Sequence, residues 1–465
     1  MRHLRAVTSI VLGLLAVSAC TRAPDIVRMP ADPPVAVLIE DVTVLDVEDG
    51  SKAPHQDVLV EQGRIARIVP TGQITLPEGG ERVDGRGATL LPGLIDMHAH
   101  VSSPTGPPWV AGLPNEDANL QGFLYAGVTT VLDTGSMAPD AYERRDRIAR
   151  GEQLGPTTYE AGPIVTARGG HPVAIFSKNL PSLLSWYVLP RMTREVDTPQ
   201  EGKMAAADVA GMGADVMKVV VDRIPSGVPR ITNEALAAAV GEARRHDLRS
   251  VAHIGDAQDA MDAADAGVAA WVHGVYKESL SDEQVAKLAG YGIPMAPTLV
   301  VFESFAGFGK PYEATDLERE SADPDGLAAM NDVPEDFDLS VMNGLAGTLA
   351  SSRENVRRLH DAGVMILAGS DMQSGLFAGA SLHREIGLLV ESGLTPSEAI
   401  RAATLDPARF LSRSKGPPFG VVKEGRVADL LLVEGDPTAD IRNLSRIRAV
   451  LKGGIPLERI PRTRG

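Results

Sequence analysis

Residues 90–100 read Leu90-Leu91-Pro92-Gly93-Leu94-Ile95-Asp96-Met97-His98-Ala99-His100. This apolar run ends in two histidines one residue apart. Side chains two apart on a strand project to the same face, so His98 and His100 leave one side of the end of a buried strand. Paired imidazoles there suit zinc or a similar divalent ion. Seven later segments have the same strand character: 127–135, 157–166, 214–221, 249–254, 269–275, 292–300 and 363–371. Helix-period stretches separate most of them. In 232–246, Thr232 or Asn233 is placed to cap an Ala-rich helix. Eight alternating β/α units predict an α/β chain built as a (β/α)8 TIM barrel.

Further ligand-type residues fall at the ends of these strands. Lys218 lies in the fourth, His253 ends the fifth, His273 the sixth and Asp371 the eighth. Each has a bland reading alone. A single strand histidine is commonly a hydrogen-bonded core residue, a buried lysine a paired structural charge, and Asp371 a helix cap. Together, one lysine, one aspartate and four histidines at the mouths of five strands point to a metal centre on the face where barrel enzymes place their chemistry. Three long connections leave that face, 102–121, 167–200 and 301–350.

Both ends of the chain look different. Residues 35–91 and 418–460 are short alternating runs punctuated by Gly and Pro, which predicts strands and hairpins without a helix. We expect a small composite β-sandwich domain from these two pieces, flanking a catalytic barrel over 92–417. A net charge of −16 argues against nucleic acid, whose phosphates need a basic face. A homo-oligomer is left open.

The first residues read as an export signal. Arg2 and Arg5 precede a mostly apolar or small stretch over 6–19, too short to cross a bilayer as a helix. It runs into Val17-Ser18-Ala19-Cys20, which resembles a bacterial lipobox. Cys20 is the single cysteine in the chain, so it has no intrachain disulfide partner. The expectation is a signal peptide over 1–19, lipidation of Cys20, a Pro-rich tether over 20–34, and anchoring to a bacterial membrane on its periplasmic or extracellular face.

Residues 91–100 resemble the opening motif of the amidohydrolase superfamily. Lys218, His253, His273 and Asp371 match its other ligands. Further likenesses are Gly127-Val128-Thr129-Thr130, Ala399-Ile400-Arg401-Ala402-Ala403-Thr404 and Gly425-Arg426-Val427-Ala428-Asp429-Leu430. The flavour is that of the imidazolonepropionase-like and prolidase-like branch. The resemblance implies two divalent metals, with a carbamate on Lys218 bridging them. His98, His100 and Asp371 would hold the more buried metal, and His253 and His273 the more exposed one. A carbamate is chemically sensible because an ammonium has no lone pair for a metal. His171, in Arg168-Gly169-Gly170-His171-Pro172, resembles a Gly-Gly-His of the prolidase-like branch that contacts the scissile carbonyl. One departure stands out. That branch often carries a tyrosine two residues after the strand-five histidine, and here the position is Gly255.

The implied activity is hydrolysis of a C–N amide bond in a small substrate, a dipeptide or N-acyl amino acid. Metal-activated hydroxide would attack. Asp371 would carry the proton, and His171 would help stabilise the oxyanion. Phe176, Trp186 and Tyr187 are expected as an apolar wall, and Arg223 and Arg168 as candidate carboxylate anchors. Cyclic-amide opening, mononuclear deamination, and lactone or phosphotriester cleavage use the same apparatus and stay open. A non-catalytic envelope binding protein would be expected to have lost ligands that this chain keeps.

Overall fold

The computed structural model describes residues 25–104, 106–110 and 115–462. The signal over 1–19 and Cys20 lie outside the described residues. The middle of the chain is α/β, with parallel strands alternating with helices. Leu94–Ala99, Val128–Asp133 and Thr157–Glu160 form a three-stranded parallel sheet. A six-stranded parallel sheet follows, in the order Thr193–Val196, Ile164–Ala167, Val216–Val220, Arg249–His253, Ala270–Val272 and Met295–Ala296.

No continuous ladder joins these two sheets. Asp215 N donates to Glu160 O at 2.9 Å between the third and fourth segments. The expected eighth strand over 363–371 is not a regular strand. It meets its neighbours through Leu367 N to Met295 O at 2.8 Å, Met97 N to Ala368 O at 2.9 Å, and isolated parallel bridges at Ile366 and Met372. Apolar side chains from most of these segments nonetheless share one cluster, including Met97, Leu132, Val216, Val251, Val272, Ala296 and Leu367.

The third expected strand, 157–166, breaks in two. Gly162 takes φ +65 and the next residue is Pro163, which has no N–H to give a ladder. The second half, Ile164–Ala167, pairs instead with Thr193–Val196, a strand the sequence pattern did not announce. Helix starts follow their caps. Thr232, rather than Asn233, caps Asn233–Arg245 by accepting from Ala235 N, and capping boxes open Pro199–Gly211, Ala257–Ala266 and Asp282–Gly290.

The two chain ends join in one eight-stranded sheet. Its order runs Ile455–Pro456, Ile447–Lys452, Leu430–Glu434, Ala88–Pro92, Ala36–Leu45, Lys52–Glu61 and Arg64–Pro70, with Glu81–Asp84 also on Ala36–Leu45. Alternate residues of these strands, among them Val37, Ile39, Val58, Val60, Leu90, Leu430 and Leu432, form a separate core. The tether expected over 20–34 is shortened by the structure. Val27–Arg28 pairs antiparallel with Glu458–Arg459, and Ile26 and Val27 are buried, because Gln121 accepts the Ile26 N–H at 2.7 Å and their side chains join the main core.

Candidate metal centre

His98 and His100 leave the end of Leu94–Ala99 on one side, with ring centroids 5.4 Å apart. The fourth, fifth and sixth segments bring in Lys218, His253 and His273. Lys218 Nζ lies 3.2 Å from His98 Nε2. The His273 ring lies 4.6 Å from that of His98 and 4.1 Å from that of His253. Asp371 completes the group, its Oδ1 3.3 Å from His98 Nε2 and 3.0 Å from His100 Nε2. Ligand atoms of His98, His273 and Asp371 all fall within 4.8 Å of one another. The structure therefore brings the six residues into one buried cluster, and His98, His273 and Asp371 form its compact metal-ligand group.

Their protonation suits metal binding. Burial pushes His98 and His273 well below the usual histidine range and His253 down to about 3. These three imidazoles are thus neutral, with lone pairs available. Burial also lowers Lys218 to about 7, against the pull of Asp371, so a neutral amine is accessible for carbamylation. Burial opposes charge on His100 and Asp371 too, but their mutual hydrogen bond wins. His100 is raised and Asp371 lowered. Three neutral imidazoles beside one carboxylate fit divalent zinc-type ions.

A surrounding shell fixes these side chains. Thr298 Oγ1 sits 2.7 Å from His273 Nδ1, leaving Nε2 for a metal. Gly135 O lies 3.3 Å from His100 Nδ1. Asp96 ties the first strand to the eighth segment. It accepts from His98 N at 3.1 Å, Ser370 N at 2.9 Å and Ser370 Oγ at 2.6 Å. Asp222 Oδ2 lies 3.3 Å from His253 Nε2 and also takes Tyr276 Oη, while Oδ1 takes Lys277 Nζ. Burial resists charge on Asp222, but His253 and Lys277 outweigh it and hold the carboxyl well below its ordinary range.

His273 (φ 78), Thr298 (φ 54) and Asp371 (φ 48) all take left-handed backbone conformations without being glycine. Sequence reasoning missed Asp96, Asp222 and Thr298. Asp222 had a legible signal, since 218, 220 and 222 share parity beyond the fourth strand.

The substrate-side expectations divide. The His171 ring lies 5.0 Å from that of His253, and burial lowers it to about 4. Thr166 Oγ1 holds its carbonyl at 2.6 Å. Arg223 is exposed next to Asp222, to which its N–H donates. Arg168 is drawn elsewhere, pairing with Asp197 at 2.7 Å and Glu201 at 3.3 Å on the surface. Trp186 and Tyr187 do not form a packed wall. Trp186 is 75% exposed, and Tyr187 stacks under Arg191. Aromatic packing occurs instead between the connections after the first and seventh strands, where Trp109 meets Phe308 at 5.0 Å and Phe337 at 5.6 Å.

The model of the amidohydrolase family matches residues 89–455. The chain belongs to that family. Among its relatives, an imidazolonepropionase from Salinispora arenicola is 26% identical over 408 residues, covering 86% of this chain and 91% of the relative. An ochratoxinase from Aspergillus niger is 27% identical over 393 residues, covering 78% and 75%. In fold, this amidohydrolase is similar to a solved Xaa-Pro dipeptidase with methionine bound in its active site. The TM-score is 0.74 at 24% identity, over 90% of this chain and 99% of the other. Family and relatives make the chain a hydrolase.

Proposed function

We propose that this amidohydrolase is a binuclear metal-dependent enzyme that cleaves the C–N amide bond of a dipeptide or N-acyl amino acid. The reading rests on the compact His98, His273 and Asp371 group, with Lys218, His100 and His253 packed against it. Carbamylated Lys218 would bridge two zinc-type ions, with His98, His100 and Asp371 on one and His253 and His273 on the other. Ions bound there would supply hydroxide near neutral pH and polarise a carbonyl. Asp371 takes a proton from the attacking water and returns it to the leaving nitrogen. His171, beside His253, donates to the developing oxyanion. Arg223 receives a substrate carboxylate, and the Trp109, Phe308 and Phe337 cluster faces an apolar group. We assign the chain to the imidazolonepropionase-like and prolidase-like branch, read 92–417 as a (β/α)8 barrel closed through the scattered backbone bonds at Asp215, Leu367 and Met97, and read the terminal sheet as folding into a sandwich over its own core.

The test is metal content per chain, together with hydrolysis of a dipeptide and N-acyl amino acid panel by the metal-loaded full-length protein. About two ions per chain and turnover of at least one panel member are expected. Turnover of cyclic amides alone would move the assignment toward the imidazolonepropionase-like relatives. Turnover of lactones or phosphotriesters alone would remove the amide reading.

We further propose export and lipid anchoring through Cys20, from the lipobox-like Val17-Ser18-Ala19-Cys20. Cys20→Ser is expected to release the enzyme from the membrane fraction or leave an uncleaved precursor. Wild-type protein recovered wholly in the cytosolic fraction would contradict anchoring.

A further inference from the structure

Thr298 does two incompatible jobs unless another residue helps. It precedes the helix Leu299–Gly307, where an N-terminal Ser or Thr normally accepts a backbone N–H with its own hydroxyl. Here Thr298 makes no such cap, because Oγ1 is committed to His273 Nδ1 at 2.7 Å. It also holds φ 54, a strained conformation for a β-branched residue. The free N–H groups of that helix still need an acceptor in a buried setting.

Glu385 supplies it. Glu385 lies on the helix Ala380–Glu391 and is fully buried. Its Oε2 accepts from Val300 N at 2.8 Å, and the carboxyl also meets the Leu299 N–H. Its other oxygen has no hydrogen-bond partner among the described residues, so capping is the one polar contact this costly buried group makes there. A second clasp joins the same helices on their outer side. The Arg384 guanidinium grips both carboxylate oxygens of Glu303, at 2.6 and 2.5 Å.

We infer that Glu385 is a positioning residue for His273: by capping Leu299–Gly307 in place of Thr298, it keeps the Thr298 hydroxyl on His273 Nδ1 and the opposite nitrogen aimed at the metal centre. The inference rests on the metal-centre reading. Without Glu385, Thr298 relaxes to negative φ and turns its hydroxyl to its own helix, and the His273 ring loses its orientation.

The experiment measures zinc affinity of the full chain for wild type, Glu385→Gln, Glu385→Ala, Thr298→Ala and the double alanine variant. Glu385→Ala and Thr298→Ala should each weaken one zinc equivalent by about 10- to 100-fold, the usual size for a group that orients a ligand. The double variant should be no weaker than Thr298→Ala, because both act on one contact. Glu385→Gln keeps the acceptor and should bind within about 3-fold of wild type. Glu385→Leu fills the same space if the alanine variant does not fold. The second readout is the ¹⁵N signal of the His273 ring in metal-free protein. It should shift alike in Glu385→Ala and Thr298→Ala and stay put in Glu385→Gln. Additive losses, wild-type affinity in Glu385→Ala, or an unmoved His273 ring would overturn the inference. Should wild type bind no zinc, the metal-centre reading falls and the ring signal still decides the role of Glu385.

Discussion

The carboxylate of Asp222 fills the space where a side chain at position 255 would begin: a Cβ built on Gly255 would lie 2.5 Å from both Asp222 oxygens. Any side chain there, including the tyrosine common in the prolidase-like branch, competes with Asp222 for that space. Tyr276 and Lys277 instead converge on Asp222 from the sixth segment.

Gly255→Ala should therefore push Asp222 off His253 and weaken metal retention by about 10-fold. Metal content after dialysis against a mild chelator checks this. The effect should vanish in an Asp222→Ala background, where the space is open. A Gly255→Ala variant that holds metal like wild type would show that Asp222 can move without loosening His253.

Lys218→Ala should lose most activity and retain fewer ions per chain, since the carbamate proposed on Lys218 Nζ, 3.2 Å from His98 Nε2, is lost with the side chain. A short carboxylic acid added to the variant should restore part of the activity by standing in for the carbamate. Full activity in Lys218→Ala would end the bridged-pair model.

Asp371→Asn keeps the shape but removes the proton acceptor, so turnover should fall by at least about 100-fold with the fold intact. His171→Ala should cost on the order of 100-fold in kcat, the size of one oxyanion donor. Circular dichroism alongside the kinetics separates chemistry from unfolding. Near-native turnover in Asp371→Asn would rule out the shuttle role.

Arg144 centres a buried charge network. Its guanidinium, wholly buried, meets Glu116 at 2.7 Å, Asp133 at 3.0 Å and Glu160 at 2.9 Å. Burial opposes its charge, but the three carboxylates outweigh that and raise it further. Arg144→Leu strands Asp133 and Glu160 in the interior and should cost about 3–5 kcal/mol, read from chemical denaturation. A loss under about 1 kcal/mol would mean the acids simply take up protons there.

Burial raises Glu385 to about 8 from an ordinary 4.5. The folded chain therefore binds more protons at this site than the unfolded chain between these two values. This contribution to stability is fully present at low pH and is lost as pH rises toward 8. Glu385→Gln cannot titrate, so its stability should gain on wild type as pH rises through that window. Parallel denaturation curves for the two proteins across the window would refute the assignment.

The sequence by itself determined the α/β plan, the β character of the two chain ends, and which side chains meet in the buried cluster. Strand parity explains this: residues 98 and 100, or an apolar run ending in His253, commit side chains to one face whatever the wider packing. Tertiary structure alone decided the rest. The third strand splits because Gly162 and Pro163 break the ladder, and its second half finds Thr193–Val196, a partner with no sequence periodicity to reveal it. Arg168 adjoins the Gly-Gly-His in the chain, but Asp197 and Glu201 hold it at the surface. Trp186 and Tyr187 lie in the right connection yet stay exposed, Tyr187 beneath Arg191, while Trp109 and Phe308, some two hundred residues apart, meet. Glu385 had no signal at all, because a buried carboxylate on an amphipathic helix gains meaning only from the unpaired N–H groups it meets. Those groups belong to Leu299–Gly307, and a contact between segments so distant in the chain is set by three-dimensional packing rather than local pattern.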